Sequence, residues 1–302
     1  MVSASAILLQ IQQGDIRSLA RTISLIEHGH KEAANILRSI PFSKKNIIGI
    51  TGAPGSGKST LTDALISEMV KDEKKIGVLC IDPSSPFNRG ALLGDRIRMS
   101  EWYNHPDVFI RSLASKGSLG GLHPKIIEIT ELMKAAWFDY IIVETVGVGQ
   151  SEIDIAGLAD ITSVVLVPES GDIIQTMKAG IMEIADIFII NKADRPDADT
   201  FYNHVLQMLR PQHDEGSQQV PVIKTVASQR IGISEWYDLI KKWDTTMEKS
   251  LRVTMILEKI LSVITEKQIS KIDHEKLRKE IETGVTNKDL NIYSLAEKYA
   301  DA

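Results

Sequence analysis

Gly49-Ile-Thr-Gly-Ala-Pro-Gly-Ser-Gly-Lys-Ser-Thr60 is the stretch from which the rest of the chain can be read. It contains Gly52-x-x-x-x-Gly57-Lys58-Ser59, a Gly-rich turn between an apolar segment (Asn46 to Thr51) and a helical pattern (Leu61, Leu65, Ile66, Met69). Such a turn lets successive backbone N–H groups point inward at phosphate oxygens, and the helix that follows presents its positive end to the same anion. The candidate phosphate contacts are Gly52, Ala53, Pro54, Gly55, Ser56, Gly57, Lys58, Ser59 and Thr60. Lys58 can reach the terminal phosphates as a catalytic charge, and the Ser59 hydroxyl can ligate magnesium.

Seven apolar segments, at 47–51, 76–81, 108–111, 140–144, 162–167, 186–190 and 221–225, alternate with helical stretches from residue 46 to about 240. Several are apolar throughout, as expected of parallel strands covered on both faces. The long crossovers between them imply an α/β fold with a doubly wound, mostly parallel sheet, which with the phosphate loop is that of a P-loop NTPase. Residues 1–45 read as amphipathic helices (Ile7, Leu8, Ile11; Leu19, Ile23, Ile26; Ala33, Ile36, Leu37) that end at Pro41. Residues 241–302 are charged and helical, with Leu251, Met255, Ile260, Leu261 and Ile264 forming an apolar seam. The expected organisation is therefore an N-terminal helical segment (1–45), a nucleotide domain (46–240) and a C-terminal helical extension (241–302).

Composition narrows the function classes. The 302 residues include 35 Lys and Arg against 40 Asp and Glu, with no basic block, so nucleic acid is not an expected partner. The single cysteine, Cys80, lies in an apolar run and reads as a buried, inert thiol. The sequence shows no secretory signal pattern and no apolar stretch of membrane-spanning length, so a cytoplasmic protein with no membrane partner is expected.

Two further motifs bear on the ligand. Asn191-Lys192-Ala193-Asp194 follows an apolar strand. The Asp194 carboxylate can accept two hydrogen bonds from the ring N–H and exocyclic amine of guanine, a donor pair that adenine lacks on that edge. Asn191 and Lys192 would tie this base loop to the phosphate loop. The tetrapeptide alone could be a polar strand-to-loop junction; downstream of a phosphate loop it selects GTP and GDP. The strand Tyr140 to Glu144 ends in a carboxylate followed by Thr145-Val146-Gly147, where phosphate-loop hydrolases place a metal-side acid and a glycine whose N–H meets the terminal phosphate. Many GTPases have Asp at the position of Glu144. The segment ending at Asp82 places a second carboxylate on the ligand side of the sheet. Asp82 and Glu144 are therefore candidate catalytic and magnesium-side groups beside Ser59.

Taken together, Thr51 to Thr60, Asp82-Pro-Ser-Ser-Pro86, Gly94-Asp95-Arg96, Glu144-Thr-Val-Gly-Val-Gly-Gln-Ser-Glu152 and Asn191 to Asp194 resemble the MeaB/ArgK family of GTPases over nearly the whole chain. The resemblance implies a magnesium-dependent GTPase acting as a chaperone for adenosylcobalamin-dependent methylmalonyl-CoA mutase, gating cofactor delivery and protecting the mutase. It also implies a homodimer formed through the C-terminal extension. It places magnesium near Ser59, Asp82, Asp95 and Glu144, and a switch that senses the mutase at 169–180. It puts the last guanine loop at Thr225, Val226, Ala227 and Ser228, where Val226 departs from the family's usual serine and the Ala227 N–H is left to meet the guanine carbonyl. The run 111–121 keeps the family outline, while Leu122-His123-Pro124 is less typical. Gln150 reads as a switch or structural residue, and Arg89, Arg96 and Arg98 as a solvated face or a source of transition-state charge. Two alternatives remain: a nickel metallochaperone GTPase, disfavoured by seven scattered histidines with no Cys partner, and a transport-system kinase, disfavoured by the guanine selector.

Losing two charge-assisted hydrogen bonds costs about 3 kcal/mol or more. GDP should therefore bind at least about a hundredfold more tightly than ADP, and Asp194→Asn should shift the preference toward xanthine nucleotides. Equal GDP and ADP affinities by calorimetry would refute the assignment.

Overall fold

The computed structural model describes residues 3–41, 43, 45–82, 99–115, 122–147, 151–168, 181–209, 220–243, 250–269, 271–287 and 289–300. Asp95, Arg89, Arg96, Arg98, Gln150, Pro83 to Pro86 and the segments 116–121 and 169–180 lie outside them. The chain divides into two compact units, Met1–Glu248 and Lys249–Ala302.

The first unit is built on β1 (Asn46–Gly52), β2 (Ile76–Asp82), β3 (Val108–Ala114), β4 (Tyr140–Glu144), β5 (Ile161–Leu166), β6 (Ile187–Ile190) and β7 (Val222–Lys224). They form one sheet in the order β3-β2-β4-β1-β5-β6-β7, and every pairing is parallel. All seven expected strands are present, with ends displaced by up to three residues. The strands β2 to β4 lie on one side of β1 and β5 to β7 on the other, so the winding reverses at β1. In open α/β sheets that reversal opens a crevice at the carboxyl ends of the strands, where ligands bind.

Helices cover both faces. Three precede the sheet: α1 (Ala4–Gln12), α2 (Ile16–Glu27) and α3 (Lys31–Arg38). The others of this unit are α4 (Lys58–Lys71), α5 (Ile126–Ala135), α6 (Ser151–Leu158), α7 (Ile181–Ile184), α8 (Ala198–Met208) and α9 (Ile233–Lys242). The period-two alternation of β1 divides the core. Ile48 and Ile50 face a cluster with Leu61, Leu65 and Met69 of α4 and Ile233, Trp236 and Ile240 of α9. Trp236 is fully buried and donates from Nε1 to Ser163 Oγ at 3.1 Å. Tyr237 joins α9 to the end of α4 by donating to Asp72 Oδ2 at 2.8 Å. Burial, and then the bond to Asp72, push the Tyr237 phenol well above its ordinary range, so it stays a neutral donor. A second cluster joins Val164, Phe188 and Ile190 to Phe201 and Val205 of α8. Cys80 is buried among aliphatic side chains, as expected.

The N-terminal helices start at side-chain caps: Ser3 accepts from the Ala6 N–H at 3.2 Å, and Asp15 from those of Arg17 and Ser18 at 3.1 and 3.3 Å. Leu8, Ile11, Leu19, Ile23, Ile26, Ala33 and Ile36 are their buried face. The guanidinium of Arg111 on β3 pairs with Glu27 and donates to Ser24 Oγ at 3.0 Å, anchoring α2 to the edge strand.

The second unit comprises α10 (Ser250–Ile269), α11 (His274–Asn287) and α12 (Ile292–Ala300). Leu290 packs against Gly284 of α11, and Lys298 of α12 pairs with Glu280 at 2.7 Å. The seam expected on α10 is not buried: Ile260, Leu261 and Ile264 are about half exposed, as are Val253 and Leu257. No helix among the described residues is long and apolar enough to cross a membrane.

At Gly49, in the middle of β1, α6 packs directly against the strand. A Cβ there would lie 2.7 Å from Ile155 Cγ1 and 2.9 Å from Ala159 Cβ. Gly49→Val gains at most about 1 kcal/mol of strand propensity, but overpacking costs about 1–3 kcal/mol. The variant should unfold at lower urea than wild type, and an unchanged or higher midpoint would show that α6 yields freely.

Candidate functional site

The site grows from the junction of β1 and α4. Gly52, Gly55 and Gly57 hold φ values of 140°, 78° and 92°, which L side chains rarely adopt. A Cβ at Gly52 would enter the Val165 carbonyl and one at Gly57 the Asn191 side-chain amide. The turn can therefore be close-packed only with glycine at these two places. Gly57 is also the N-cap of α4 and supplies no capping side chain, so the first N–H groups of the helix face the loop. Ala53, Pro54 and Gly55 form the exposed crest; Gly57 and Thr60 are half-buried. Ser56 is fully buried and its Oγ has no hydrogen-bond partner among the described residues. A buried hydroxyl of this kind inside a glycine turn suits an anionic oxygen.

Lys58 is buried, and its ammonium donates to the carbonyls of Gly52 at 2.9 Å and Ala53 at 3.1 Å. Gly147, with φ of 82°, packs against the same atoms, so that any side chain there would meet the Gly52 carbonyl and Lys58 Nζ. The segment after β4 is thus fitted against the phosphate loop. Thr51 and Thr145, at the ends of the paired strands, share a hydroxyl–hydroxyl bond of 2.9 Å.

Glu144 is 4% exposed. Ser59 Oγ donates to its Oε1 at 2.6 Å and Thr62 Oγ1 to its Oε2 at 2.8 Å. The register pairs Glu144 with Ile50 on one side and with Cys80 on the other. Asp82, two residues beyond Cys80, therefore lies on the same face of the sheet and is likewise buried. Asp82 and Glu144 thus lie at the carboxyl ends of the adjacent strands β2 and β4, and Ser59 at the start of α4 is bonded to Glu144, so the candidate donors are all oxygen. Among the described residues no three His, Cys, Asp or Glu side chains make a metal cage. This donor set fits magnesium, which keeps several waters and takes its remaining ligands from phosphates.

The base loop is joined to the phosphate loop by one side chain. Asn191 is 3% exposed; its Nδ2 donates to the Ser56 carbonyl at 2.8 Å. Its Oδ1 accepts from Thr225 Oγ1 and from the Ala227 N–H, both at 3.2 Å. Asn191 thus bridges two loops separated by most of the domain, as its motif suggests. Lys192 takes up a left-handed φ of 57° and is half-buried. Asp194, the expected guanine selector, is exposed. The Ala227 N–H, expected to face a guanine carbonyl, is held by Asn191 and must share or exchange that bond to do so. Val226 is buried and pairs with Ile231 in a short bridge, while Ser228 is exposed.

The hydroxyl contacts of Thr62 and of the Thr51–Thr145 pair did not stand out in the sequence. For Thr62 a usable signal exists: three residues after Ser59, it lies on the same face of the helix.

Comparison with known proteins supplies independent findings. The family model described as methylmalonyl-CoA mutase-associated GTPase MeaB matches residues 19–280. A Pyrococcus abyssi protein named as a GTPase is 44% identical over 301 residues, covering 95% of this chain and 93% of its own. GTPase ArgK of Escherichia coli is 34% identical over 259 residues, 82% of this chain and 78% of that one. A fused isobutyryl-CoA mutase of Geobacillus kaustophilus is 35% identical over 235 residues, 73% of this chain but 22% of that protein. The crystal structure of an LAO/AO transport system kinase matches with a TM-score of 0.64 at 24% identity, covering 99% and 96% of the two chains, and supports the fold alone.

Removing the Asn191 side chain strands three buried groups. Asn191→Ala should destabilise the domain by about 1–3 kcal/mol and weaken GDP binding. Asn191→Asp should be worse, because it aims a carboxylate at the Ser56 carbonyl. Thermal melts with and without GDP that place Asp above Ala would refute the bridge.

Proposed function

The chain belongs to the MeaB family of GTPases associated with methylmalonyl-CoA mutase, and on that premise we propose that it is a magnesium-dependent GTPase serving as chaperone to an adenosylcobalamin-dependent acyl-CoA mutase. The observation that carries the nucleotide reading is the Asn191 bridge, which couples a guanine-type loop to the phosphate loop through one buried side chain. Residues Gly52 to Thr60 cradle the phosphates. The Lys58 ammonium exchanges its bonds to the loop carbonyls for the terminal phosphate oxygens. Ser59, with Glu144 and Asp82 beside it, would hold a magnesium ion, which when bound would supply charge neutralisation to the phosphates. Gly147 packs beside Lys58, and its N–H is the proposed contact to the terminal phosphate. Either buried carboxylate can orient water.

The mutase reading is supported by the fused relative. In that protein a segment similar to most of this chain is covalently part of an isobutyryl-CoA mutase. Two functions joined in one chain are held together at high effective concentration, and the same association, in the cytoplasm, is proposed between this chain and its mutase. The aliphatic face of α10 supports a homodimer, since a helix exposing Val253, Leu257, Ile260, Leu261 and Ile264 needs an apolar partner.

The test is direct. The purified chain should hydrolyse GTP slowly and faster on addition of an adenosylcobalamin-dependent acyl-CoA mutase. Lys58→Ala should lose tight GTP binding. Glu144→Ala should keep GDP binding but lose turnover by at least about tenfold. A Glu144 variant with wild-type turnover would remove that residue from the mechanism, and hydrolysis unmoved by any such mutase would remove the chaperone reading.

A further inference from the structure

We propose that Thr62 is a positioning residue that fixes the Glu144 carboxylate, and that this chain needs it because a glutamate occupies the strand-end position where a shorter aspartate is common. The inference rests on the GTP and magnesium reading above. Thr62 is fully buried, on α4. Its Oγ1 lies 2.8 Å from Glu144 Oε2 and 3.0 Å from the Lys58 carbonyl, while Ser59 Oγ lies 2.6 Å from Glu144 Oε1. Both carboxylate oxygens are therefore held by hydroxyls of the same helix.

The chemistry of the two hydroxyls differs. A serine hydroxyl has one proton and two lone pairs. Ser59 can give a lone pair to magnesium and keep its proton on Glu144, so that bond is compatible with metal ligation. Glutamate has one more rotatable bond than aspartate, and with one oxygen tied to Ser59 the carboxylate could still turn about that tie. Thr62 holds the second oxygen and removes this freedom. Groups that orient the surroundings of a metal commonly act in this way. The competing account is that Thr62 only returns its proton to the Lys58 carbonyl one turn back, as buried helical threonines do. Against it, an ionised carboxylate at 2.8 Å is the stronger acceptor of the two.

Valine keeps the shape of threonine and removes the hydroxyl; serine keeps the hydroxyl and removes the methyl. The full-length chain carrying Thr62→Val or Thr62→Ser is loaded with a fluorescent GDP analogue. The magnesium concentration that half-maximally slows its release is measured, with kcat and KM for GTP alongside. Thr62→Val should raise the half-saturating magnesium about tenfold and lower kcat more than it changes KM, while Thr62→Ser stays close to wild type. Val matching wild type, or Ser impaired as much as Val, overturns the proposal. A Glu144→Asp background guards against a folding defect. The shorter carboxylate cannot hold both hydroxyls, so adding Thr62→Val there should change the magnesium requirement little, and an equal fold-change in both backgrounds overturns the coupling. A wild-type chain that binds no guanine nucleotide, or releases it without regard to magnesium, overturns the parent reading instead.

Discussion

The geometry of the site depends on one constraint: the chain must leave the central strand and enter α4 through a turn that accepts no side chain at Gly52 or Gly57. The positive φ values there aim N–H groups inward, and the absence of Cβ atoms lets the Val165 carbonyl and the Asn191 amide come into contact with the turn. Gly147 obeys the same rule from the neighbouring strand. The phosphate loop is thus a layer pressed between β5, the base loop and the segment after β4. Anything that displaces one of these displaces the others, because protein interiors at native density have no slack to absorb the shift.

Much of this architecture is legible in the sequence. Parallel strands covered on both faces are nearly continuous aliphatic runs, which is why Ile76 to Ile81 and Ile187 to Ile190 are plain. The edge strand is less so. It runs on from the expected end at Arg111 through Ser112 to Ala114 in register with β2, and the Arg111 guanidinium is taken up by Glu27 and Ser24 of α2. That pairing spans most of the distance from the first helices and has no local signature. The phosphate and base loops are legible because their glycines, lysine and asparagine have few other uses in that order. Thr62 is not, since a threonine inside a helix is an ordinary residue until Glu144, 82 positions away, is seen beside it. The half-exposed seam of α10 shows the opposite limit. Helical spacing says that a face is apolar, but not what covers it.

The site also separates what is fixed from what is left to the ligand. Glu144, Asn191 and Ser59 are buried and already hydrogen-bonded to one another's loops or helix, so their positions are set by the fold, whereas Lys58 is bonded to loop carbonyls that, on the proposed reading, it exchanges for phosphate. Asp194 and Ser228 stand exposed at the loop ends. A carboxylate in water discriminates poorly, because solvent satisfies it whichever base arrives; it discriminates well once the base itself excludes the water. On the proposed nucleotide reading, base choice therefore falls to a residue that the ligand itself encloses. This division explains why the loop residue is free to project while its neighbour Asn191 is not. The asparagine carries the distance between the two halves of the site, which its burial and three hydrogen bonds hold.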